Sequence, residues 1–218
     1  MQNKSFQSNY KIVEIAAVLL TAADKFFFMD YLNWRFPFVI SAISAWLLYI
    51  YIRYKKDKGI LQSWGFRTDN FKKTAIMVIP FFALAFMTFI LIGNHQDTLN
   101  LTWHILPVLL FYPLWGTIQQ FLLIALVTGN LKTLQTPFLS NTVIIILTAI
   151  LFSLVHYPDC WLMAGTFILA IFYGYIYLKS PNLYVLGLVH GWLGALFYYT
   201  VLNRDPFLET FGSLLKLQ

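Results

Sequence analysis

The chain has 218 residues, 59% of them hydrophobic and 19% aromatic, and only 11% are charged, where a soluble domain carries roughly 25%. This composition excludes an ordinary soluble enzyme and predicts a single integral membrane domain over 1–218, with no separate soluble domain. The formal charge of +6 does not point to nucleic acid, because the basic residues gather between Arg53 and Lys73, between two apolar runs, as in a cytoplasmic loop beside anionic lipid.

In chain order, residues 1–11 are polar and 12–32 form a first helix, either a poor span or one lying at the interface. Glu14 inside its apolar run argues against a cleaved leader. Glu14, Asp24 and Asp30 read as interfacial or solvated rather than catalytic, since charges avoid the bilayer core. Residues 36–54 are a span of suitable length, the basic loop follows with turn chemistry from Gly65 to Asn70, and 74–92 span again. The longest apolar stretch is 101–131. Pro107 and Pro113 each remove a backbone donor there, which predicts a kinked or broken helix. Lys132 marks a short loop. Residues 141–157, 160–178 and 183–202 are the remaining spans, with a tight turn from Lys179 to Asn182 and a short charged tail from Asn203. The expected fold is an all-α polytopic bundle of six to seven transmembrane helices. The positive-inside rule puts the Arg53–Lys73 loop, Lys132 and Lys179 on the cytoplasmic side. The single cysteine, Cys160, excludes an internal disulfide and reads as a packing residue.

Polar side chains at membrane depth mark candidate functional sites, and three segments carry them. Gln119 and Gln120 sit in the long stretch, His156 follows Phe152 by one helical repeat, and His190 stands among Gly187, Gly191 and Gly194. At about 1.5 Å per residue, Gln120 and His190 fall at similar depth. His156 falls deeper, so tilt or a kink is needed for the three to meet. Each could equally be a helix–helix hydrogen-bonding residue, and the glycines a close-packing stripe.

At these residues the chain resembles the CPBP intramembrane metalloproteases of the CAAX prenyl endopeptidase type. That family carries Glu-Glu-x-x-x-Arg, Phe-x-x-x-His and His-x-x-x-Asn on successive helices. Phe152 to His156 matches the second motif in full, and His190 to Gly194 matches the third at its His alone. Gln119, Gln120 and Ile124 stand where the first motif has its two glutamates and its arginine. The resemblance covers about residues 60–200. It implies a site of Gln119, Gln120, His156 and His190, with Phe152, Ile124 and Gly194 beside it and zinc on His156 and His190. A general base must accept a proton near working pH, and a Gln amide does not. A zinc site would also lose its anionic ligand. Asp159 could orient His156 but is better suited to capping the next helix.

The resemblance therefore implies a divergent member with weak or no proteolysis, a pseudoenzyme. It would keep a polar cavity for a lipidated or transmembrane protein partner among membrane lipids, in a bacterial inner membrane. The competing class is a small transporter or membrane scaffold, which the proline-interrupted segment suits. A protease-derived cavity requires Gln120, His156 and His190 to meet within hydrogen-bonding reach, and a scaffold does not.

Overall fold

A computed structural model describes residues 2–134 and 139–215, and every regular element among them is helical. The chain runs through α1 (Gln2–Lys25), a π-helical turn (Phe26–Tyr31), α2 (Arg35–Lys56), short α3 (Ile60–Trp64) and α4 (Phe71–His95). Next come α5 (Ile105–Gln120), a second π-helical segment (Phe121–Gly129) and α6 (Asn130–Thr133) in one continuous run. Then follow α7 (Asn141–Leu154), α8 (Cys160–Lys179), α9 (Leu183–Thr200) and α10 (Pro206–Leu215). Five helical stretches are long and apolar enough to cross a membrane: Arg35–Lys56, Phe71–His95, Ile105–Thr133, Cys160–Lys179 and Leu183–Thr200. Asn141–Leu154 is a shorter apolar helix. The protein is an all-α polytopic membrane bundle. Part of the loop after Lys132, residues 135–138, lies outside the described residues.

The second π-helical segment is the axis of the core. Phe121 to Thr128 are all buried, as expected for a segment apolar on every face. Trp46, Trp64 and Phe66 pack their rings around Phe121. α5 and α9 make the most extensive helix–helix contact, and glycines decide its depth. A Cβ on Gly191 would stand 2.5 Å from the backbone N and Cα of Pro113, and one on Gly187 would stand 2.1 Å from Thr117 Oγ1. From the other side, a Cβ on Gly116 would stand 2.8 Å from Gly187 O. The backbones touch because nothing lies between them. Gly194 is different: a Cβ there would meet only the Tyr112 ring, at 3.8 Å.

The long run is not broken at its prolines. Pro107 sits in the first turn of α5, where its missing N–H costs nothing. Pro113 lies inside the helix and leaves the Leu109 carbonyl without its usual donor. The Trp192 indole N–H of α9 donates to that carbonyl at 3.2 Å. The irregularity appears further on, where the helix widens at Phe121.

Two expectations from the sequence are overturned. Glu14 is neither interfacial nor solvated: it is 4% exposed. α1 packs against the π-helical core, and the buried carboxylate is paired, as burial demands. Tyr49 and Arg53 donate to it, as does Asn130 Nδ2 at 2.7 Å. Cys160 is exposed at the start of α8 and packs into no core. The tail after Asn203 also proves to be a helix, α10. Asp205 caps it, accepting from the backbone N–H of Phe207 and Leu208 at 3.0 and 3.2 Å.

Two outcomes are expected. Gly191→Ala and Gly187→Val should each destabilise the protein by at least ~1–3 kcal/mol, the usual cost of overpacking. Gly194→Ala should be within ~0.5 kcal/mol of the parent. Thermal unfolding in detergent reads both. The second outcome concerns pH. Burial pushes the Asp205 carboxyl up, but hydrogen bonds from His104, Tyr199, the Leu208 N–H and Thr102 outweigh it and hold the group below its usual range. Burial likewise raises Glu209, and Arg204 and Arg35 outweigh it. Both folded values are depressed, so the stability they contribute is complete above about pH 4, the unfolded carboxylate value. It is lost as pH falls through the lower folded values. Melting temperature against pH should therefore turn down below about pH 4, and less steeply in an Asp205→Asn, Glu209→Gln double variant.

Candidate functional site

The site forms where α5, α7 and α9 meet. Gly116 lets α9 approach within one turn of Gln119, and a Cβ on Gly116 would stand 3.0 Å from the His190 ring. Gln119 and His190 are thereby brought face to face, with His190 Nε2 2.9 Å from Gln119 Oε1. With the amide oxygen accepting, Nε2 carries the proton and Nδ1 presents a lone pair. That Nδ1 is buried and has no hydrogen-bond partner.

His156 arrives from the end of α7. The helix stops at Leu154, so the last-turn carbonyl of Phe152 lacks an intrahelical donor. His156 Nδ1 lies 2.8 Å from that carbonyl. A carbonyl only accepts, so Nδ1–H donates and Nε2 is left with a free lone pair. Thr166 of α8 also reaches the Phe152 carbonyl, at 3.4 Å. The Phe152 ring, 1% exposed, stands between the two imidazoles, 5.1 Å from His156 and 5.5 Å from His190 by ring centroids.

These groups open onto one cavity of about 760 Å³. Gln119, Phe152, His156, His190 and Gly194 all line it, among mostly apolar walls from α1, α2, α4, α5, α8 and α9. Gln120 and Ile124 do not. Gln120 is 1% exposed, its side-chain Nε2 has no partner, and Ile124 is fully buried. Gln120, His156 and His190 do not hydrogen-bond one another, contrary to the requirement for a protease-derived cavity: Gln119 bonds His190 in place of Gln120, and His156 Nδ1 bonds the Phe152 carbonyl. Adjacent helical residues point about 100° apart, so only one of the pair can face α9.

Formal charge stays at one end of the cavity. Lys25 pairs with Asp30 at 2.7 Å. Arg204 lies 3.1 Å from Asp159, which also caps α8 through the Leu162 N–H at 3.0 Å. Arg35 and Arg204 both hold Glu209. Asp159 is thus a cap and an ion-pair partner: its carboxylate bonds Leu162 and Arg204, and it meets His156 only through its backbone N–H, which donates to the His156 carbonyl at 3.0 Å.

The donor set does not suit zinc. A catalytic zinc site takes three protein donors and keeps an open position. Here His156 and His190 each offer one lone pair, at Nε2 and Nδ1, and a third donor is missing because the acids on the wall are bonded to cations. No group of three or more His, Cys, Asp or Glu residues among the described residues could hold a metal ion. The Gln119 amide hydrogen-bonds His190 but accepts no proton at neutral pH.

Sequence inspection missed three contributors: Gly116, Thr166 and Trp192. Pro113 does announce an orphan carbonyl at Leu109. Nothing local names Trp192 as its donor. The capping pair Asp205-Pro206 was a legible signal for α10.

The chain was compared with protein families, curated proteins and solved structures. No curated protein and no solved structure matches it. A family model described as Type II CAAX prenyl endopeptidase Rce1-like matches residues 57–196. That match covers well over half of the chain and holds α3 to α8 and most of α9, including Gln119, His156 and His190. The chain belongs to the family of Type II CAAX prenyl endopeptidase Rce1-like proteins.

Proposed function

We propose that this chain is a family member with little or no proteolytic activity, and that it uses the inherited cavity to hold a lipidated or transmembrane protein segment. One observation carries the proposal: an amide, Gln119, hydrogen-bonds His190 on the cavity wall where the family motif has a carboxylate. Without that carboxylate no group beside the histidines can take a proton from water near neutral pH. The large apolar wall with Gln119, His156 and His190 on it suits an apolar segment with a hydrogen-bonding end. In this reading the basic end of the bundle, with Lys55 and Lys56 in the last turn of α2 and Lys58 just beyond it, faces the cytoplasm beside anionic lipid.

The test uses a fluorogenic prenylated CAAX peptide in detergent, with metal content measured alongside. The native chain should cleave no faster than a His156→Ala, His190→Ala double variant and should carry no stoichiometric zinc that the double variant lacks. It should still bind the uncleaved peptide, and Gly194→Trp should weaken that binding at least tenfold by filling the cavity. Full-rate, metal-dependent cleavage by the native chain would overturn the proposal.

The two glutamines should also separate by stability. Gln119→Leu strands His190 without a partner on either nitrogen. It should cost ~1–3 kcal/mol, the penalty for a buried group left unsatisfied. Gln120→Leu removes an amide whose nitrogen is already unpartnered and should be neutral or stabilising. Equilibrium unfolding of the two variants side by side checks the ordering.

A further inference from the structure

We propose that α10 is a salt-bridged lid over the aqueous mouth of the cavity, opened by releasing Glu209 from Arg35 and Arg204. Four observations lead there. Pro206, Phe207, Thr210 and Phe211 all line the cavity, so α10 forms part of its wall at the charged end. Its apolar side is seated on two different helical regions. Phe211 packs against Phe36 of α2 at 5.6 Å, and Phe207 stacks on His104 before α5 at 4.8 Å.

The polar side is held by charge. Glu209 receives Arg35 from α2 and Arg204 from the α9–α10 loop, with Arg204 Nη2 at 2.9 Å. Arg204 in turn reaches Asp159, three residues beyond His156. Glu209, the one charged residue of α10, is therefore the ionic tie across the mouth to α2, beside the Phe211–Phe36 ring contact. These side chains remain partly exposed, at 32% for Arg35, 35% for Arg204 and 24% for Glu209. Partly exposed ion pairs are screened by salt and individually weak, which suits a contact that must break.

Finally, the helix can move as a unit. It is ten residues long and touches only α5 and α2 among the stronger contacts of the fold. It hangs from a short loop in which Asn203 has φ of 51°. The bonds of Asp205, its cap to the Phe207 N–H and its bond from Tyr199 at 2.8 Å, do not involve Glu209. The hinge therefore lies at Asn203–Asp205 and the latch at Glu209. The lid lies beyond the matched residues 57–196. It concerns access to the cavity and not what occupies it.

The experiment measures access directly, with no ligand. A thiol is placed on the cavity wall by Gly165→Cys in a Cys160→Ser background. A Cβ at Gly165 meets only the Phe197 ring, at 3.6 Å, so the substitution fits. Labelling by a charged, membrane-impermeant maleimide is compared with labelling of the exposed Cys160 in the parent chain. At low salt the cavity thiol should react at least tenfold more slowly than Cys160. Raising salt to 1 M, where screening reaches about 3 Å, should increase the ratio several-fold. Glu209→Gln should raise it about tenfold at low salt and abolish the salt dependence. Two results would sink the proposal: a cavity thiol as reactive as Cys160 at low salt, or a ratio that neither salt nor Glu209→Gln changes. The salt arm uses a chain with the latch intact, so the outcome does not hang on the folding of the Glu209 variant. Binding of the prenylated peptide is not read, so failure of the lid and failure of the binding proposal are seen separately.

Discussion

Everything at the site depends on two backbones touching. α5 and α9 cross so closely at Gly116, Gly187 and Gly191 that a single added Cβ would strike main-chain atoms or the Thr117 side chain. That contact sets Gln119 against His190 and lets Trp192 reach the carbonyl that Pro113 orphans. Apolar side chains gain nothing from meeting each other in lipid, because the lipid is equally apolar. Close packing and hydrogen bonds across helices must therefore hold the pair. The proline and the glycines cooperate: one helix exposes an acceptor, and the other comes near enough to use it.

The same rule, that a buried polar group needs a partner, explains most of the polar geometry. The C-terminal carbonyl of α7 is taken by His156, and Thr166 approaches it from α8. Glu14 is buried only because Tyr49, Arg53 and Asn130 converge on it. The exceptions stand out against this background. Gln120 Nε2, His190 Nδ1 and Tyr173 Oη have no partner among the described residues. Two of those three belong to Gln120 and His190, within the matched residues 57–196.

Charge is sorted by position. The cavity wall carries neutral amide and imidazole groups in its depth, while its formal charges stand at one end and are all paired. A second ionic cluster, around Glu14, pins α1 to α2 and α6 away from the cavity. A carboxylate at position 119 would have put a charge in the apolar depth, where only a functional return offsets the desolvation cost. An amide avoids that cost and gives up the proton chemistry with it.

The sequence alone determined the membrane class, the helical character of the long runs and the positions at which polar chemistry enters them. Hydropathy and charge act locally, so a single chain displays them. Phe152, His156 and His190 were legible as a set because a motif is also local. What only the tertiary structure decided is which polar groups meet. Periodicity places Gln119 and Gln120 side by side, but it does not say which one faces α9. The crossing angle and the π-helical widening at Phe121 select Gln119 and send Gln120 and Ile124 into the core. Glu14 read as solvated because its three partners lie 35 or more residues away. α10 read as a tail because a short, charged amphipathic segment has no hydropathy signal until a cavity gives its phenylalanines somewhere to go.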